Sequence, residues 1–241
     1  MNKIILCEGE TDAILLSYYL GEVGGWSYLS KSPAEINIKA SSFEQSVNWY
    51  QKGDDKLLIC AVGGKDNMSS FFKNKLYRPI IDAVAFSKLA VILDRDNNTI
   101  DSLEKHASAL FEPVITSLKN NAWISNSYRD SFGEEKQIEA LLVAIPTEHQ
   151  GALETLMLDS ISEDPYDAVV VQKSKEFVKE MRKTAPKYIS NNRKELKADL
   201  SVTWSIMYPE KVFKLIDEQI KSVEWEKSEV LRKCFEKLLE I

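Results

Sequence analysis

The sequence predicts an α/β fold: a mainly parallel sheet flanked by helices, followed by a helical C-terminal extension. Three observations carry that expectation. Over the first two-thirds of the 241 residues, short and near-continuous apolar runs alternate with helix-patterned segments. Strands covered on both faces of a parallel sheet have that composition, whereas half-exposed strands alternate polar and apolar residues. After residue 162 the strand-like runs stop, and charged segments of helical period take over. A chain with 44% hydrophobic and 28% charged residues buries a substantial core without staples.

Taken in order, KIILCEG (3–9) is the first strand and TDAILLSYYLGEV (11–23) its following helix. KLLICAVGG (56–64) is a second strand ending in glycines, and residues 66–87 read as helical, with Pro79 as a break or start. KLAVILD (88–94) is the third strand, followed by a helix over about 100–119. NAWISNS (121–127) and IEALLVAIP (138–146) complete the strands, and QGALETLMLDSIS (150–162) is an amphipathic helix. A turn signal, EDPYD (163–167), separates this part from helical stretches at about 166–184, 193–206 and 209–240. Trp204, Phe213, Trp225 and Phe235 recur there near helical spacing, which reads as helix packing rather than base stacking. Two domains follow from this division, 1–162 and 163–241.

Composition removes several classes of function. Cys7, Cys60 and Cys234 are far apart with no CxxC pair, which argues against a disulfide framework and a zinc ribbon. His106 and His149 are too few and too distant for an imidazole metal site. No apolar run approaches the roughly 18 residues of a membrane span. The opening MNKIILCEGETD turns acidic at once, unlike a signal peptide, so the expected setting is cytoplasmic with no membrane partner. Net charge is −6, yet residues 166–241 carry 16 Lys+Arg against 13 Asp+Glu, while residues 1–165 carry 15 against 24. An acidic first part is joined to a basic second part.

Acidic residues fall where the strands end. In C-E-G-E-T-D, Glu8 closes the first strand, Gly9 permits a tight turn, and Asp12 comes back one helical turn later. In L-D-R-D-N-N (93–98), Asp94 and Asp96 follow the buried run LAVIL, and in an extended segment residues two apart point the same way. Ligands of open parallel sheets bind at the strand C-termini. Carboxylates converging there repel unless a cation lies among them, and hard oxygen donors suit Mg²⁺ or Mn²⁺. A calcium loop starting at Asp94 fails, because Thr99 stands where glycine is needed and Lys105 where glutamate is needed. Taken singly, each such acid also reads as a helix cap or a solvated loop residue.

E-G-x-x-D at the first strand, with D-x-D at a later buried strand, resembles the TOPRIM domain of topoisomerases, bacterial primases and OLD-family nucleases, over roughly residues 1–160. The resemblance implies a mainly parallel four-stranded core and makes Glu8, Asp94 and Asp96 the central acids, with Asp12 in support. The chain lacks room for the further domains of a topoisomerase, and it has neither the cysteine zinc module nor the RNA-polymerase region of a primase. An OLD-like nuclease or a related small TOPRIM protein remains. That branch has a further acid in an x-L-E pattern, matched here by Glu154 in G-A-L-E-T, although Ala152 stands where Asp is frequent. It also uses a downstream lysine. Segment 173–197 holds nine Lys+Arg against three Glu, and Lys197 is the best candidate there, with Lys194 and Arg193 beside it.

G-G-K at 63–65 follows the second strand but lacks the rest of a P-loop, so nucleotide hydrolysis is not expected. Its glycines shape a strand-end turn, and Lys65 is available to a nucleic-acid phosphate. The resulting expectation is an endonuclease dependent on Mg²⁺ or Mn²⁺, acting on DNA more than RNA. Glu8, Asp12, Asp94, Asp96 and Glu154 serve as metal ligands, and Lys197 compensates transition-state charge. The resemblance further implies an ABC-type ATPase partner in phage defence, by analogy alone. A non-catalytic interaction module and an RNA-processing TOPRIM enzyme are the alternatives.

Overall fold

The computed structural model describes residues 1–34 and 36–241. Its strands are β1 (Asn2–Cys7), β2 (Ser27–Leu29), β3 (Ser46–Lys52), β4 (Asp55–Ala61), β5 (Lys88–Asp94), β6 (Ile124–Arg129) and β7 (Glu135–Ile145). Among the described residues they form one sheet in the order β2-β3-β4-β1-β5-β7-β6. The four inner strands are parallel: β1 pairs with β4 and β5, and β5 pairs with β7. Antiparallel strands finish both edges, β3 and β2 on one side and β6 on the other. The mixed α/β class and mainly parallel sheet are those expected from the sequence, and all five expected strands are present. Two were not expected. Of β3, only Trp49 is fully buried, so no apolar run marks it; Gly53, at φ 58°, turns it tightly into β4.

Period-two alternation sends successive side chains of the inner strands to opposite faces. One face carries Ile4, Leu6, Leu58, Leu89, Val91 and Leu142 into a core with Phe71, Phe72, Phe86 and Phe111. On the other face lie Leu15, Leu16, Tyr19 and Leu20 of helix α1 (Glu10–Glu22), all buried, and the Tyr19 ring sits 5.4 Å from that of Phe235. Burial on both faces explains why these strands read as unbroken apolar runs.

The expected helices form with three changes. Segment 66–87 is a short helical succession, α2 (Met68–Phe71), a wider π turn at Phe72–Leu76, and α3 (Tyr77–Ile81). The wide turn immediately precedes Pro79, whose ring and missing N–H disfavour a regular helix there. Helix α4 (Ile100–Leu110) stops well before residue 119, since Pro113 restricts the residue before it to extended backbone. Downstream, Asn126 is buried, and its Oδ1 accepts from the Thr116 and Ser117 N–H groups at 3.0 and 2.9 Å.

The chain divides into two compact units, 1–150 with 234–241, and 151–233. The division falls at Gln150–Gly151 rather than after 162. In the first unit the last eight residues are bound as a strap. Trp123 Nε1–H donates to the Lys237 carbonyl at 2.8 Å, and Lys88 Nζ donates to the Glu240 carbonyl at 2.7 Å. The second unit contains α5 (Leu153–Ile161), α6 (Pro165–Thr184) and α7 (Asn192–Met207), whose faces pack on one another. Asp164 and Asn191 cap α6 and α7 through their side-chain oxygens, as their short polar side chains favour.

The continuous helix expected over 209–240 is instead broken into α8 (Ile216–Ile220), α9 (Glu229–Phe235) and short 3₁₀ turns. Trp225 causes one break: fully buried, it donates its indole N–H to the Ile220 carbonyl at 2.7 Å, turning the chain inward past α8. Trp204, Trp225 and Phe235 pack inside as expected, whereas Phe213 is 99% exposed. Among the described residues, no helix is long and apolar enough to cross a membrane.

Candidate functional site

The strand order locates the site before any side chain is considered. The chain leaves β1 toward β4 and leaves β5 toward β7, so adjacent strands send their connections in opposite directions. A crevice opens at the C-termini of such a pair. Pairing of β1 with β5 ends at Leu6↔Val91, while β5 stays paired with β7 as far as Asp94↔Ile145. The last residues of β5 therefore outrun their neighbour.

Glu8 compensates for that. Its Oε1 accepts the Asp94 backbone N–H at 2.9 Å, replacing the ladder bond β1 no longer supplies. The side chain is buried, at 5% exposure. Gly9 turns the chain out of β1, and Asp12, 8% exposed, accepts the Gly9 N–H on Oδ2 at 2.9 Å. Asp12 thereby sits in the first turn of α1, where the helix dipole favours a carboxylate. The helix-cap role that any single acid could have is thus realised at Asp12, while Glu8 braces a strand end. Burial holds the Cys7 thiol far above its usual range, and Asp12, Cys60 and Glu8 push it further. Both carboxylates project their field onto one point, and the neighbouring sulfur is a protonated thiol rather than a nucleophile.

The second motif departs from the period-two expectation. Arg95 N–H still bonds the Ile145 carbonyl at 2.7 Å, but Asp96 has φ 50°, in the left-handed region that Asp tolerates better than most residues. Asp94 and Asp96 therefore do not point in parallel from an extended strand. They are joined through a third residue. Lys65 Nζ donates to the Asp94 carbonyl at 3.3 Å and to Asp96 Oδ2 at 3.2 Å. A glycine turn delivers it: Gly63 and Gly64 have φ 81° and 109°, and Gly64 N–H bonds the Glu8 carbonyl at 2.7 Å. A Cβ on Gly63 would meet Glu44 at 3.2 Å. Lys65, expected from the sequence to be available to phosphate, is instead ion-paired inside the site. Sequence reasoning gave no role to Arg95, which donates to the Asn98 and Thr147 carbonyls and shapes the loop after β5. No signal in the D-x-D pattern marks that role.

Glu8, Asp12, Asp94, Asp96 and Lys65 all belong to the first unit. Glu154 and Lys197 belong to the second, Glu154 in the first turn of α5 and Lys197 exposed on α7. The basic segment is solvent-facing there: Lys175, Lys179 and Lys183 recur every four residues along α6, each exposed, and so are Arg193 and Lys194. Arg182 is the exception, bound to Glu195 and Asn192.

Among the described residues, no three His, Cys, Asp or Glu side chains come together as a group able to hold a metal ion. One oxygen each of Glu8, Asp12 and Asp96 is engaged by a protein donor. The donor chemistry nonetheless fits a hard cation, being oxygen throughout, and a cationic group already lies against it in the Lys65 ammonium.

A family model described as a protein of unknown function (DUF3226) matches residues 2–238. Among solved structures, the chain is similar to the hypothetical protein PH0156 from Pyrococcus horikoshii OT3, at TM-score 0.50 and 13% identity, over 98% of this chain and 99% of that one. At that identity the likeness is one of fold. No curated protein matches. With nearly its whole length matched by one family model, the chain belongs to the DUF3226 family.

Proposed function

We propose that the chain is a TOPRIM-like, cytoplasmic nuclease that hydrolyses phosphodiester bonds of DNA with Mg²⁺ or Mn²⁺. The observation that carries this reading is the meeting of both acidic motifs at the sheet's switch point, Glu8 reaching from β1 to the end of β5 at Asp94. The parallel core β4-β1-β5-β7 agrees with the resemblance, and the exposed Lys175–Lys179–Lys183 row offers charge to a phosphate backbone. Glu8, Asp94 and Asp96, with Asp12 in support, would hold the ion. When bound, it would supply Lewis-acid stabilisation of phosphate charge and lower the pKa of a water. Within the chain, the Glu8–Asp94 bond fixes the end of β5, the Asp12–Gly9 bond fixes the turn, and burial keeps Cys7 out of the chemistry. Glu154 and Lys197 enter as expectations of the resemblance, as does an ABC-type ATPase partner.

The test is incubation of the purified protein and Mn²⁺ with supercoiled plasmid, single-stranded DNA and structured RNA, alone and with a neighbouring ATPase. Cutting that disappears in a folded Asp94→Ala/Asp96→Ala double variant supports the reading. Intact substrates throughout remove it, and preference for structured RNA would make the protein an RNA-processing enzyme. A binding module without catalysis is the second reading. It is favoured by the strand-end bond of Glu8 and the helix-cap bond of Asp12, which give both residues work in the fold itself.

A further inference from the structure

Lys65 is held against strand-end oxygens of Asp94 and Asp96, two of the residues that the proposed function gives to the cation. Its ammonium bridges the Asp94 carbonyl and Asp96 Oδ2, and its side chain is 22% exposed against 53% for Asp96. The residue did not arrive there by the accident of a long flexible side chain. The Gly63–Gly64 turn has two consecutive positive φ values, is tied to β1 through the Glu8 carbonyl, and is braced by Asn67 Nδ2–H donating to the Gly63 carbonyl at 2.7 Å. The turn therefore aims the side chain from β4 across β1 to the end of β5.

We propose that Lys65 is a tethered counter-ion that competes with the divalent cation for the strand-end oxygens, so that the site fills only above a metal concentration set by this ammonium. The inference rests on the metal-dependent reading above. Among the described residues the acids form no ready metal group, and one of them, Asp96, is already engaged by a protein cation. Divalent ion and ammonium cannot share Asp96 Oδ2 at contact distance without strong repulsion. An ion that takes Asp96 Oδ2 breaks the Lys65–Asp96 pair, and the measured metal affinity is then lowered by whatever that pair contributes. The pair is partly exposed, so its contribution is that of a surface ion pair, up to about 1 kcal/mol, or about fivefold in affinity. The remaining positive charge of a displaced but nearby ammonium adds to this in the same direction.

The experiment is a titration of the metal-free full chain with Mn²⁺, followed by calorimetry and by the electron paramagnetic resonance signal of free Mn²⁺, for the wild type, Lys65→Met, Lys65→Gln and Lys65→Arg. Circular dichroism and thermal melts confirm that each variant is folded. The expected result is Mn²⁺ binding about fivefold tighter or more in Lys65→Met and Lys65→Gln, with Lys65→Arg near the wild type because the charge is retained. Where cutting is measurable, the Mn²⁺ concentration at half-maximal rate should fall in the same proportion. If the wild type binds Mn²⁺ and the neutral variants bind it equally or more weakly, the counter-ion role is wrong while the metal reading stands. If neither the wild type nor the neutral variants bind Mn²⁺ at millimolar concentration, both are lost.

Discussion

Replacing Glu8 separates its work in the fold from its work in chemistry, because Gln and Ala remove different things. Glu8→Gln keeps an amide oxygen where Oε1 now accepts the Asp94 N–H, so the brace at the end of β5 survives as a neutral hydrogen bond. A charge-assisted bond is roughly twice as strong as a neutral one. The loss is offset by removing one of two buried carboxylates, Glu8 and Asp12, whose fields converge on Cys7. The net change in stability should stay within about 1 kcal/mol. Glu8→Ala instead leaves the Asp94 N–H without its acceptor in a partly buried position, which costs about 1–3 kcal/mol. Urea unfolding of the three proteins gives the stabilities, and Mn²⁺ titration with a plasmid-cutting assay gives function. Glu8→Gln should be folded and near wild-type in stability, yet bind Mn²⁺ at least tenfold more weakly and fail to cut. Wild-type metal binding and cutting by Glu8→Gln would reduce Glu8 to a strand-end brace. Equal destabilisation by Gln and Ala would show that the brace depends on charge, contrary to the reasoning.

The second unit has its own titration. Burial pushes the Asp199 carboxyl up to about 6, with Glu195 adding to the rise and Lys175 opposing it, and Asp199 Oδ1 has no hydrogen-bond partner among the described residues. A folded pKa above the unfolded value means the folded state holds the proton between the two. Stability therefore falls as pH rises from about 4 to about 6, by at most about 3 kcal/mol, and stays lower above that. Asp199→Asn should raise the melting temperature at pH 8 and leave it nearly unchanged at pH 4; equal shifts at both would refute the assignment. Trp225→Ala should cost about 3–5 kcal/mol in urea unfolding, since it empties a fully buried indole site and frees the Ile220 carbonyl. A loss under about 1 kcal/mol would mean that Trp225 does not hold the break after α8.

What the sequence disclosed follows from where each element lies. LAVILD was legible because β5 sits between β1 and β7 with both faces covered, leaving an unbroken apolar run. β3 was not, because its only fully buried residue is Trp49, although Gly53-Asp54 before KLLICA is a hairpin signal that points to a preceding strand. The helical stretch expected over 209–240 rested on the spacing of Phe213, Ile216, Ile220, Leu231, Phe235 and Leu238. Spacing cannot show that Trp225 faces inward through a hydrogen bond to Ile220 while Phe213 faces solvent. At the strand ends, residue order put Glu8 after β1 and Asp94 at the end of β5, and these two strands are neighbours in the sheet. Asp96 was misjudged in direction, because its left-handed backbone ends the alternation one residue after Arg95. The role of Lys65 was hidden for a related reason: its contact with Asp96 spans 31 positions and depends on β4 and β5 flanking β1.

The capping bonds and the proposed chemistry do not compete for the same explanation. At a switch point the neighbouring strands diverge, so an N–H at the end of the longer one must find an acceptor from outside the ladder. Any side chain that supplies it stands in the ligand crevice. That need is for an acceptor oxygen alone, which Gln, Asn or Ser meets without a charge. Here the positions are filled by Glu8 and Asp12, and Asp94 and Asp96 follow at the end of β5, four acidic residues at one end of neighbouring strands. Against them, Lys65 supplies one ammonium, while the guanidinium of Arg95 donates to the Asn98 and Thr147 carbonyls. Hydrogen bonding accounts for the oxygens but not for the surplus of charge, which works against the fold by like-charge repulsion. A cation bound in the crevice, as the proposed function has it, would offset that excess, and the Mn²⁺ titration of the Glu8 and Lys65 variants tests whether one binds.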